Sequence, residues 1–458
     1  MRTHLFKVNN LTYAYDYDSN HMFSLNDLSK TIIESYLDNN KENDSVYDYN
    51  EERVDKAKQI IDKTIILGLI NNNSKNWIYA NPEFRSGIQS VTIVLTKKCN
   101  LACEYCYESD LKNNKFITDK TVDNLVEFLE VYGDYKNGVN IVFFGGEPLL
   151  FPEKIKCIIE KFNRSKLKHI ISYSLTTNGT IFNEKVEQLL SDNKITVTIS
   201  FDGTKKAQNK YRKTKDNKET SDILFENYLK FTDSLGYKPV LRVTITEKNI
   251  HINEIAETVA KMKGQNVVTN IVSTNNLNHQ LNKKWLAKFD ENIEDYINNF
   301  QKDKVEVYFN SFMKYKNIIN QQTRYCGEGV TSICIDEKGN IFSCHRMIGD
   351  EKYKFGNINI STQKEIMYMM KNYVKNTSIF QYDECRYCWA AKICLGGCRH
   401  ENEKLSSNEE YLKALCKHRR REIEISVSYY IEEILKSACI KPNNSNSFNQ
   451  RYIPLHIL

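Results

Sequence analysis

Between residues 89 and 310 the chain alternates short β-branched runs with amphipathic stretches. The expected strands are 91–96, 140–144, 170–176, 195–200, 239–245 and 267–273. The intervening stretches place apolar residues at helical spacing, as in Leu125, Phe128 and Leu129, or Ile255, Val259 and Met262. This alternation admits few topologies, because crossovers between parallel strands are right-handed and lay their helices over the sheet. Six such units predict an α/β fold whose parallel sheet is closed or partly closed as a barrel. In such sheets the chemistry collects at the carboxyl ends of the strands.

The flanks read differently. In residues 1–85, Leu5-Phe-Lys-Val and Leu11-Thr-Tyr-Ala-Tyr-Asp predict a hairpin across Asn9-Asn10, and His21–Leu25 a third strand. A helix over about 27–38 begins at the capping residue Asn26, a polar insert fills 39–50, and Val54, Ala57, Ile60, Ile61 and Ile65 mark a second helix. Small strands followed by helices suggest a winged-helix-like module. It reads either as a structural cap or as a holder of an extended peptide. Residues 311–440 are cysteine-dense, and the Asn/Ser-rich tail, 441–458, is expected to be loose.

Eleven of the thirteen cysteines lie within 99–106 and 326–416. No apolar h-region follows Met1, and no apolar run reaches the ~18 residues of a membrane span. A cytoplasmic protein without a membrane partner is expected, and its cysteines read as metal-binding or catalytic. The net charge of +6 gives no reason to expect a nucleic-acid partner. Cys157, on a helical face with Ile155, Ile158, Ile159 and Phe162, reads as core.

The loop after the first expected strand is Cys99-Asn-Leu-Ala-Cys103-Glu-Tyr-Cys106. Its three thiolates can converge on one cluster, and a 4Fe–4S cubane held by three leaves an iron open. A zinc knuckle or buried thiols are the other readings. Further motifs end the next strands: Gly145-Gly-Glu-Pro148, Thr176-Thr-Asn-Gly179, Thr198-Ile-Ser-Phe-Asp-Gly203, and Arg242. Freed backbone groups and the Glu147 carboxylate suit an ammonium ligand, and the Arg242 guanidinium suits a carboxylate. Taken alone, Glu147 also reads as a satisfied structural carboxylate and Arg242 as a surface charge. Downstream stand Cys326-x₁₂-Gly339-x₄-Cys344, Cys385-x₂-Cys388-x₅-Cys394-x₃-Cys398 and Cys416. Paired zinc sites are the rival reading of this second set.

Together these motifs resemble the radical S-adenosylmethionine (SAM) enzymes. The resemblance implies that Cys99, Cys103 and Cys106 hold a 4Fe–4S cluster whose open iron takes the amino and carboxylate groups of SAM. It implies that Tyr105 fills the aromatic place before the third cysteine. Gly145, Gly146, Glu147 and Pro148 would meet the SAM amino group, Thr177, Asn178, Ser200 and Asp202 would line the cofactor site, and Arg242 would contact the SAM carboxylate. The family usually carries a His where this chain has Gln208. The downstream pattern resembles the SPASM extension, which carries two auxiliary 4Fe–4S clusters. By that resemblance Cys385, Cys388, Cys394 and Cys416 hold one, and Cys326, Cys344 and Cys398 the other. Residues 311–325 contain no further cysteine. The latter cluster therefore keeps an open iron unless Cys334 closes it; Cys334 also reads as core. His345 reads as an acid/base residue or as a hydrogen-bonded neighbour of the cluster.

The order of parts resembles maturases of ribosomally made peptides, of the thioether-forming (sactionine or ranthipeptide) type. The implied domains are a precursor-recognition unit at 1–85, a radical SAM core at 86–310, a SPASM unit at 311–440 and the tail. The implied reaction uses three 4Fe–4S clusters, SAM and a one-electron donor such as flavodoxin or ferredoxin. A 5′-deoxyadenosyl radical takes a hydrogen from a precursor peptide held by its leader, and a cysteine sulfur closes onto carbon. Two alternatives stand: another radical modification, either a carbon–carbon crosslink or Ser/Cys oxidation as in sulfatase maturation, and a non-catalytic iron–sulfur electron carrier.

Overall fold

A computed structural model describes residues 3–8, 11–16, 21–37, 51–66, 87–108, 114–273, 282–299, 305–308, 324–377, 382–405, 408–437 and 452–454. The chain opens with an antiparallel meander of β1 (Thr3–Val8), β2 (Leu11–Asp16) and β3 (His21–Leu25). Helices Asp27–Leu37 and Glu51–Ile66 follow. The Asn26 side chain accepts the Ser29 amide at 2.8 Å, which is the expected cap. Leu28, Ile32 and Ile33 of the first helix and Val54, Ala57 and Ile61 of the second are buried. The polar insert at 39–50 lies outside the described residues.

The expected parallel sheet is present: β4 (Ser90–Val94), β5 (Val139–Phe144), β6 (Ile171–Thr177), β7 (Ile195–Phe201), β8 (Val240–Ile245) and β9 (Asn266–Ile271). Each pairs in parallel with the next, and every expected boundary falls within two residues of the observed one. A short seventh strand, β10 (Glu306–Tyr308), adds beside β9. On the other side, β11 (Ser332–Ile335) pairs in parallel with β4. Strands β12 (Asn340–Phe342) and β13 (Lys354–Asn357) continue antiparallel. The sheet is open, running β10-β9-β8-β7-β6-β5-β4-β11-β12-β13. The cysteine-rich segment expected as a separate unit thus grows from the free edge of β4, the strand that carries the cysteine loop.

Burial alternates along these strands. Val197, Ile199 and Phe201 of β7, and Leu241, Val243 and Ile245 of β8, are buried under the helices. Phe128, Phe162 and Phe231 of the helices join the same core fully buried, each contributing about 1.5–3 kcal/mol. The alternate positions are polar and half-buried: Ser174, Thr176, Thr198, Ser200, Arg242 and Thr244. A parallel strand covered on both faces would read as a continuous apolar run, so this polar face lines an interior space.

Finally, β14 (Tyr452–Pro454) pairs antiparallel with the outer edge of β3. The tail was expected to be loose; the Asn/Ser tract masks the Tyr-Ile-Pro that follows it, and the unpaired backbone of β3 supplies the partner. Among the described residues no helix is long and apolar enough to cross a membrane.

Candidate active site

The cysteine loop leaves the carboxyl end of β4 and is pinned from above. The Ala102 amide donates to Lys213 O at 2.8 Å and the Glu104 amide to Tyr211 O at 3.0 Å. Beneath it lies a buried polar knot. The Tyr105 hydroxyl and Arg212 Nε both donate to Asp202 Oδ1, at 2.5 and 2.8 Å. The guanidinium also stands 5.4 Å from the Tyr105 ring centre. Asp202 is fully buried; burial pushes its carboxyl up and Arg212 pulls it back. The Asp202 amide donates to Gln208 Oε1 at 3.2 Å, and Gln208 Nε2 donates to Thr220 at 3.0 Å. One acceptor and one donor suffice there, which a neutral histidine also offers.

The Gly145-Gly-Glu-Pro148 turn lies against the approach to the cysteine loop. The Gly146 amide donates to Thr96 O at 2.9 Å and the Glu147 amide to Lys98 O at 3.0 Å. A Cβ at Gly145 would lie 2.3 Å from Thr96 O, and one at Gly146 2.3 Å from Lys98 O. Only glycine allows that approach. The buried Glu147 carboxylate accepts from the Leu149 amide (3.0 Å), the Thr177 hydroxyl (2.8 Å) and the Asn178 amide (2.7 Å). Burial still outweighs these donors and raises its pKa to about 7. Two of these bonds tie the turn after β5 to the end of β6. Asn178 Nδ2 donates to Asn100 Oδ1 at 2.9 Å, and Asn100 Nδ2 donates to Thr180 at 2.8 Å, which secures the loop from its far side. Gly146→Ala is expected to cost the protein about a third of its reconstituted iron with its helix content unchanged. Iron analysis beside circular dichroism checks this, and an undiminished iron load excludes it.

Opposite the loop, the register pairs Ser200 of β7 with Arg242 of β8 on the interior face. Arg242 has no hydrogen-bond or ion-pair partner among the described residues, and burial together with Arg346 pushes its pKa down. The His345 ring packs 4.7 Å from Phe144 and 6.0 Å from Tyr107, centre to centre. Burial, then Arg346 and Arg242, push its pKa to about 3, so it is neutral at pH 7.

All twelve described cysteines are free thiols. Eleven fall into three groups by the charges that act on one another, Cys334 joining the second through Cys344. Cys103 feels Cys106 and Cys99. Cys344 feels Cys398 and Cys326. Cys385 feels Cys394, Cys416 and Cys388. Burial foremost raises Cys103, Cys344 and Cys385 each to about 12. Among the described residues no three His, Cys, Asp or Glu side chains stand close enough for a single metal ion. Cys334 is buried in an apolar cluster with Val94, Phe342 and Ile348, as the core reading has it. Cys157 is exposed and not core: Ile155, Ile158 and Ile159 take the inner face, and Cys157 falls outside that arc.

Residues 93–259 match the Radical SAM superfamily. Those residues form a radical SAM domain. Enzymes with this domain use SAM and a 4Fe–4S cluster, and the matched residues run from β4 to the helix Ile252–Lys261. The chain is 28% identical over 352 residues to a cysteine-type anaerobic sulfatase-maturating enzyme of Clostridium perfringens, covering 69% of this chain and 90% of that one. It is 26% identical over 435 residues to the radical SAM cyclopropyl synthase TigE of Paramaledivibacter caminithermalis, covering 83% and 82%. The solved structure of native anSMEcpe with bound AdoMet and Kp18Cys peptide superposes with a TM-score of 0.64 at 21% identity, covering 77% of this chain and 99% of that one.

Within the radical SAM fold, sequence reading missed Asn100 and the tie that Arg212 makes. Arg212 closes the loop that contains Gln208, and burial sets it apart from the lysines around it.

Proposed function

We propose that the protein is a radical SAM maturase that installs a thioether, sulfur to carbon, in a ribosomally made precursor peptide. The observation that carries this reading is the match of residues 93–259 to the radical SAM superfamily together with the further cysteines Cys326, Cys344 and Cys398 and Cys385, Cys388, Cys394 and Cys416 downstream of it. The donor sets fit 4Fe–4S clusters: free thiols in groups of three, three and four. The three-thiol group Cys99, Cys103 and Cys106 faces the polar interior, where Ser200 and the unpaired Arg242 suit the carboxylate of SAM. Cluster and SAM supply, when bound, a 5′-deoxyadenosyl radical; the chain's part is placement and exclusion of water. The second three-thiol group, Cys326, Cys344 and Cys398, leaves room for a substrate thiolate, and Cys334 stays in the core. The four-thiol group is complete. A one-electron donor such as flavodoxin or ferredoxin would supply the reductant.

Residues 1–85 are proposed to capture the leader and so raise the local concentration of the peptide's reacting part. The β3 edge is held by β14, so a leader that adds there must displace Tyr452–Pro454. Deleting residues 1–85 is expected to weaken leader binding more than about tenfold, ~1.4 kcal/mol, while SAM cleavage without peptide persists. Unchanged leader affinity would show that recognition lies elsewhere.

A carbon–carbon crosslink is the second reading, favoured by the likeness to a cyclopropyl synthase across most of the chain. Anaerobic reaction with the small cysteine-bearing peptide encoded nearest the gene, followed by mass spectrometry, separates the two. Loss of two hydrogens with the thiol no longer alkylatable supports the thioether. The same loss with free thiols supports carbon–carbon bonding.

A further inference from the structure

Cys394 belongs to the four-thiol group and Cys398 to the second three-thiol group, yet only three residues separate them. Those residues, Leu395, Gly396 and Gly397, all have left-handed backbone, with φ of 51°, 77° and 70°. Leu395 pays about 1–2 kcal/mol for that conformation. Three consecutive residues of this kind wrap the turn around a single side chain, that of Arg419. Its Nη1 donates to Gly396 O at 3.3 Å and to Asn402 Oδ1 at 3.0 Å, and its Nη2 pairs with Glu401 at 2.9 Å. A Cβ at Gly397 would lie 2.3 Å from the guanidinium carbon. The glycine is therefore there to let a charge approach the backbone that joins the two groups.

The Arg419 side chain is only 12% exposed. Its hydrogen bond to Gly396 O sets the charge on the turn between Cys394 of one group and Cys398 of the other, and Cys416 lies three residues before it on the same helix. Glu401 offsets part of that charge and also reaches Arg346 at 3.4 Å. A cluster held by thiolates gains one negative charge on reduction, and nearby fixed charge is among the factors that set its potential.

We propose that Arg419 is a shared electrostatic anchor of the two auxiliary sites, standing at the turn that joins them and raising the reduction potential of both. An electron passing from one site to the other then moves between two centres biased by the same charge. The proposal rests on the reading of these cysteines as cluster ligands.

The test uses the full chain with Cys99, Cys103 and Cys106 changed to alanine, reconstituted anaerobically with iron and sulfide, so that only the auxiliary sites report. Midpoint potentials are read by redox titration followed by electron paramagnetic resonance, with Arg419 intact and with Arg419→Lys and Arg419→Gln. Lysine is expected to keep both potentials. Glutamine is expected to lower both, each reduction equilibrium by about tenfold, ~59 mV for one electron. A fully loaded Arg419→Gln protein in which either potential is unchanged overturns the proposal. If Arg419→Gln fails to load iron while Arg419→Lys loads fully, the charge itself is required at the joint, which supports it. If neither loads, the guanidinium is needed only for its hydrogen bonds, and the proposal falls. Failure of the ligand reading has a different signature: the Arg419-intact protein takes up no iron in this background.

Discussion

Changing Cys99, Cys103 and Cys106 together to alanine is expected to remove about a third of the reconstituted iron, roughly four of twelve atoms, and to abolish reductive cleavage of SAM. The size of the effect follows from the separation of the three thiol groups. Cys103 lies in its own loop, on the buried Asp202–Arg212 pair that Tyr105 joins. The auxiliary sites stand on other supports, β11, β12 and the helices beyond them. Losing the first group therefore leaves about eight irons in place. Iron analysis and quantitation of 5′-deoxyadenosine after dithionite reduction check both halves. Retained SAM cleavage would remove the loop from the site.

The second large effect is expected at Arg212. Its side chain is one-tenth exposed and its partner Asp202 is fully buried. Arg212→Met leaves the enclosed Asp202 carboxylate with the Tyr105 hydroxyl as its remaining hydrogen-bond donor among the described residues. An isolated buried charge of this kind costs about 3–5 kcal/mol. The loss is expected as a lowered unfolding midpoint and as poor retention of the first cluster, because Tyr105 lies between Cys103 and Cys106. Adding Asp202→Asn neutralises the stranded carboxyl and is expected to restore part of the stability, since the two changes share one network. A double variant no more stable than Arg212→Met would show that the knot acts through packing and not through charge.

Much of this was legible in the sequence because the signals were local or periodic. The six parallel strands announced themselves through period-two and period-3.6 patterning, and the observed strands lie within two residues of the expected ones. The cysteine groups were legible because short spacings constrain a chain tightly. What escaped depends on long-range contact. The bonds that Glu147 accepts from Thr177 and Asn178 come from the next strand, so no local pattern announces them. Arg212 and Arg419 are ordinary basic residues until burial selects them. Cys157 was misplaced because a helical face is about three residues wide, and a cysteine beside isoleucines need not share their direction.

The pairing of β14 with β3 has a consequence for the order in which the molecule matures. More than four hundred positions separate the two strands, so this is a contact of very high sequence separation, slow to form and dependent on everything between. On a ribosome the first three strands emerge early, but their fourth partner follows only after the last described cysteine has been made. The first sheet therefore stands with an open edge while the cysteine-bearing regions fold and load. The part proposed to receive the leader is the first to be synthesised and the last to be finished.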